Sequence, residues 1–102
     1  MVKDKIIDGI KYSVKGINHK DWSEIMELIS SSYKYQIMKE MSEKDQKDVQ
    51  VLTHEIALKI ENIVKKYVID PKDLLIDNLE ESAFKQLYAF ITEDCTPKKN
   101  LE

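Results

Sequence analysis

The sequence predicts a mainly α fold: a small domain of about four helices carrying an N-terminal β-hairpin. Three observations point there. From Val49 the apolar residues recur as Val49, Leu52, Ile56, Ile60, Ile63 and Tyr67, three or four apart, which lays one stripe along one face of a helix. Two glycines and two prolines are too few to turn the many strands of a sandwich or barrel. Asp8-Gly9, set among alternating residues, is the favoured two-residue turn of a hairpin. The length of 102 residues suits one domain, and 42% hydrophobic with 34% charged residues allows a packed core under a heavily solvated surface.

Lys5 to Val14 read as the hairpin, with Ile7, Ile10, Tyr12 and Val14 on one face. Two strands are marginal alone, so this ribbon must lie on the helices or on a neighbouring subunit. The first helix starts at Asn18 as cap, with Asp21 reaching back from the third helical position and Ile17 stapled to Trp22. Trp22, Ile25, Met26 and Ile29 form its buried stripe. Ser30, Ser31 and Ser32 weaken or end it, because their hydroxyls compete for backbone hydrogen bonds, and Tyr33 to Met41 continue after a kink. Ser42 with Asp45 caps the principal helix, which runs to about Ile69 with Glu43–Lys47, Glu55–Lys59 and Glu61–Lys65 pairs on its exposed side. Asp70-Pro71 then opens a short helix over Lys72 to Asp77. A last helix carries Leu79, Ala83, Phe84, Leu87, Tyr88 and Ile91. The chain thus divides into a ribbon at 1–17, a helical domain at 18–94 and a flexible tail at 95–102, whose final Leu101-Glu102 has the form of an expression-vector junction.

A net charge of -3 and a pI near 5.4 give no general attraction to phosphate backbones, so no nucleic-acid partner is expected. The charge is uneven. Lys3, Lys5, Lys11, Lys15 and Lys20 make the first stretch basic, while Asp70, Asp73, Asp77, Glu80 and Glu81 make the later part acidic, an asymmetry that either orients copies head to tail or is ordinary screened surface. With no spanning apolar run, no leader and a single Cys95, the expected setting is cytoplasmic, without a membrane partner or an internal disulfide.

Bond-making chemistry has few footholds. His54-Glu55 opens like a zinc-protease helix, but Leu58 stands where the second imidazole belongs. His19 lies in a first helical turn with no sequence-local Cys or Asp-Ser arrangement to serve. Cys95 lacks a local base, and Gly9 and Gly16 cannot build a phosphate cradle. The reading is therefore a non-enzyme with no catalytic residue, no metal and no cofactor. Tyr33, Tyr35, Met38 and Met41 are the candidate partner-binding residues, an adaptable aromatic and thioether patch suited to protein recognition, with core packing as the competing role.

The Asp8-Gly9-Ile10-Lys11-Tyr12-Ser13-Val14 ribbon, the Asp21-Trp22-Ser23-Glu24-Ile25 helix start, the long middle helix, Tyr67-Val68-Ile69-Asp70-Pro71 and the closing Leu87 to Glu93 helix follow one another in an order that resembles the small tail assembly chaperones of long-tailed bacteriophages and prophages. The resemblance covers most of residues 5–95 and carries no active-site motif. It implies a protein that escorts the tape-measure protein and helps recruit tail-tube subunits in the host cytoplasm, through reversible contacts and self-association. It also implies a longer frameshifted product if Lys98-Lys99-Asn100 is encoded by a slippery A-rich stretch; a solubilising basic tail is the plainer reading. The alternative function is a small inhibitory or regulatory adaptor, encoded by a phage or bacterium, that masks a protein partner.

Overall fold

The computed structural model describes residues 2–95. Of the tail anticipated at 95–102, residues 96–102 lie outside them. Strands β1 (Val2–Ile7) and β2 (Ile10–Lys15) precede helices α1 (His19–Gln36) and α2 (Glu43–Tyr67). Strand β3 (Val68–Asp70), a 3-10 turn at Ile76–Asn78 and helix α3 (Glu81–Thr92) complete the chain. The fold is a small α+β arrangement of three helices with a three-stranded antiparallel sheet, which corrects the mainly α expectation of about four helices.

The hairpin forms where the turn chemistry places it. Asp8 and Gly9 both take positive φ, 52° and 80°, as a type I′ turn demands, and Ile7 pairs with Ile10 across it. Ile7, Tyr12 and Val14 enter the core. Ile10, by contrast, is 51% exposed because the turn carries it past the helices. The ribbon lies on the helices, one of its two expected supports, and β2 also pairs with β3, in the order β1-β2-β3, with an irregularity between Ser13–Asp70 and Val14–Val68 that leaves Ile69 as the extra residue.

That third strand explains two corrections. The principal helix stops at Tyr67 rather than near Ile69, because β-branched Val68 and Ile69 fit an extended strand at least as well as a helix, and β2 offers backbone partners. After the cis Asp70-Pro71 peptide the chain forms only the 3-10 turn at Ile76–Asn78, so the short helix expected over Lys72 to Asp77 is absent. The first helix is corrected twice: it has no kink at the serines, and it ends at Gln36 rather than running to Met41. It continues without a break through Ser30, Ser31 and Ser32 to Gln36, because Ser31 Oγ donates to the Glu27 carbonyl at 3.0 Å and Ser32 Oγ to that of Ile29 at 2.6 Å, leaving the helical backbone bonds intact.

The core sits where the inner face of the sheet meets the helices: Ile7, Tyr12 and Val14 from the sheet, Ile25 from α1, Ile63, Val64 and Tyr67 from α2, and Ala83, Leu87 and Ile91 from α3. Lys3 and Lys5 hold their ammonium groups over the Phe90 ring, at 4.9 and 5.4 Å from its centre, and Lys3 also pairs with Glu93 at 3.0 Å. No helix of the described residues is long and apolar enough to cross a membrane.

Candidate functional site

The three helices differ in reach. With 18 and 25 residues against 12 in α3, helices α1 and α2 extend about 27 and 37 Å against about 18 Å. Every fully buried side chain of the pair lies at its base: Asp21 and Ile25 on α1, and Ile63, Val64 and Tyr67 on α2. The remainder forms an arm in which each helix has chiefly the other for cover. Accordingly the radius of gyration, 15.8 Å, exceeds the about 13 Å of a compact domain this size.

A polar clamp closes the base of the arm. Asp21 Oδ2 accepts hydrogen bonds from Tyr67 Oη at 2.5 Å and Lys66 Nζ at 2.8 Å, while Lys59 Nζ reaches Asp21 Oδ1 at 3.5 Å and Glu24 Oε1 at 2.5 Å. The Lys66 and Tyr67 bonds hold the Asp21 carboxyl down from 3.8 to about 2, against the opposing effect of desolvation. Burial, and then the bond to Asp21, push the Tyr67 phenol up. A carboxylate so engaged, and ionised throughout the neutral range, is ill suited to proton transfer near neutral pH. Here it joins α1 to α2. Two expectations are corrected by this cluster. Asn18 does cap α1 by accepting from the Asp21 amide at 2.8 Å, but Asp21 turns toward α2, and the Asn18 amide donates instead to Tyr67 Oη at 3.2 Å. Lys59 faces α1 rather than pairing with Glu55 on an exposed side, and no ion pair of the described residues joins any of the three anticipated i,i+4 partners.

At the far end the arm is open. Tyr35 and Met41 line a groove of about 250 Å³ between α1 and α2, with Val49 and Ile56 on its α2 wall. Tyr33 and Met38 do not line it. Tyr33 lies two residues from Tyr35, hence nearly opposite on the helix, where it is 55% exposed; Met38 sits in the α1–α2 connection. The four candidate residues are therefore not one patch: Tyr35 and Met41 line the groove, Met38 lies in the connection, and Tyr33 is on the far face of α1. Sequence reasoning missed Ile37, which at 83% exposure is the most open large apolar side chain of the described residues. Its signal was present: Trp22, Met26, Ile29, Tyr33 and Ile37 are three or four apart, a second apolar stripe on α1 whose first three members pack on the core and whose last two outrun it.

The histidines stay at the surface. His19 Nε2 lies 3.3 Å from Ser23 Oγ, both exposed, and His54 is exposed on α2. Among the described residues no three His, Cys, Asp or Glu side chains gather as metal ligands would. The α1–α2 hairpin carries a partly apolar groove at its tip. Compared with known proteins, the chain matches no family model, no curated protein and no solved structure.

Proposed function

We propose that the protein is a phage-type tail assembly chaperone, acting in the host-cell cytoplasm, which binds the tape-measure and tail-tube proteins reversibly at the tip of the α1–α2 arm and performs no covalent chemistry. The observation that carries this reading is the two-helix arm itself, whose end has a groove lined by Tyr35 and Met41 and leaves Ile37 and Met38 exposed in the adjoining connection. An amphipathic client helix that settles there completes a three-helix contact, and the methionines adapt to successive segments of a long client. Fully covering an apolar side chain contributes about 1.5 to 3 kcal/mol. Four partly covered ones, less the cost of association, leave binding in about the micromolar range. Such contacts are weak enough to be displaced as a tube polymerises.

The test is co-purification and titration of the full chain with the tape-measure and tail-tube proteins. Ile37→Ser with Met41→Ser is expected to weaken binding at least about tenfold while the thermal melt stays unchanged, since both side chains are exposed. Binding of neither client by the wild-type protein refutes the proposal.

A further inference from the structure

A second groove lies away from the arm tip, between α2 and α3. Its larger part is about 340 Å³ and has Ile60, Phe84 and Tyr88 on its floor. Glu61 and Glu81 line that part and the adjoining one, where Asp77 is added. Lys85 also lines it, but the segment 70–81 that borders it carries Asp70, Asp73, Asp77, Glu80 and Glu81 against Lys72 alone. The outer face of the sheet has the matching character. Strand alternation and register put Val2 and Ile6 outward, opposite Lys15 and Lys11, and Ile6 is 70% exposed. That face carries Lys11 and Lys15 against Asp4, which pairs with Lys11 at 3.5 Å, while Lys3 and Lys5 face Phe90 on the other side. The inner face of the same sheet packs on the helices, so its outer face points away from the chain's own groove.

We propose that the outer sheet face of one copy, Val2 and Ile6 flanked by Lys11 and Lys15, docks into the α2–α3 groove of a second copy, with its acidic rim of Glu61, Asp77 and Glu81. The two surfaces are different, so the contact is heterologous and propagates head to tail instead of closing as a symmetric pair. The exposed edge of β1 is the competing route to self-association. Antiparallel pairing of two β1 edges about Asp4 sets Lys3 against Lys5 and Asp4 against Asp4, which disfavours it. This inference needs no client and stands apart from the arm-tip proposal.

The experiment is sedimentation velocity on the full chain from about 10 µM to about 1 mM, at about 0.05 M and about 0.5 M salt. The expected result is an average mass that climbs past the dimer with concentration at low salt and falls at high salt. Glu61→Lys with Glu81→Lys, and separately Lys11→Glu with Lys15→Glu, are each expected to weaken self-association at least about tenfold. Mixing the two variants restores it, because each groove then meets a face of opposite charge. Ile6→Thr, a strand-compatible change at an open position, gives the same loss should a charge-reversed variant fail to fold. A wild-type chain that stays monomeric, saturation at a dimer, or variants that associate as wild type each overturn the proposal, as does a folded mixture that fails to recover.

Discussion

Asp21→Asn removes the charge at the centre of the clamp while keeping the side chain's shape. The wild-type carboxyl is held at about 2 instead of 3.8, a difference of about 2.5 kcal/mol at 1.36 kcal/mol per pH unit. The carboxylate is only 11% exposed but Lys66 is 58% exposed, so solvent screens their attraction; about 1 to 2 kcal/mol remains as stability. Because the folded-state value is depressed, the contribution is complete above the unfolded value near 3.8 and is lost as pH falls through about 2. At neutral pH the variant is expected to be about 2 kcal/mol less stable, a fall in Tm of roughly 10 °C for a chain this size. Urea unfolding of both proteins, followed by far-UV circular dichroism from about pH 7 to about pH 2, reads the difference. Asp4 and Glu24 also have lowered values, but both remain in the variant, so the gap between the two curves isolates Asp21 and what it shares with Lys59. The gap should be constant above about pH 5 and close between about pH 4 and about pH 2. A gap of unchanged width across that acid range refutes the reasoning.

Two paired substitutions examine the rest of the fold. Gly9→Ala meets no atom within 4 Å, yet its φ of 80° strains any side chain; it is expected to cost about 1 kcal/mol, whereas Gly16→Ala, equally open and without positive φ, leaves the melt unchanged. Leu87→Ala empties a fully buried site and is expected to cost about 2 to 5 kcal/mol in urea unfolding. Leu58→Ala, on an exposed face of α2, stays within about 0.5 kcal/mol of wild type.

Local signals were readable and long-range ones were not. The Ser42–Asp45 capping box is visible as two residues three apart, and it forms with both hydrogen bonds in place. Asn18 and Asp21 have the same spacing, but here the return bond is replaced by Tyr67, 49 residues after Asn18, which no local window contains. Val68 to Asp70 shows the same limit. Its apolar residues continue the helical spacing, and only the presence of β2 alongside makes it a strand. At the candidate site, Tyr35 and Met41 were found as types and do share a groove, but helical geometry separates Tyr33 from them. Ile37 was passed over because the serine run was read as a break, which cut its stripe in two.

The arm joins a firm base to a thinly packed tip, and local interactions keep that tip helical. Beyond Ile25 and before Ile63 no side chain of the two helices is fully buried, so tertiary packing alone provides little cooperativity there. Ser42 and Asp45 satisfy orphan amides at the start of α2 with a reciprocal pair of hydrogen bonds. The client proposed above would meet helices already formed and need not supply their ordering entropy. The clamp then has a second consequence. By fixing α1 to α2 at Asp21, Lys59, Lys66 and Tyr67, it sets how the two helices meet at the base, from which both run to the groove. The polar cluster that makes no contact at the tip is therefore part of what gives the tip its shape.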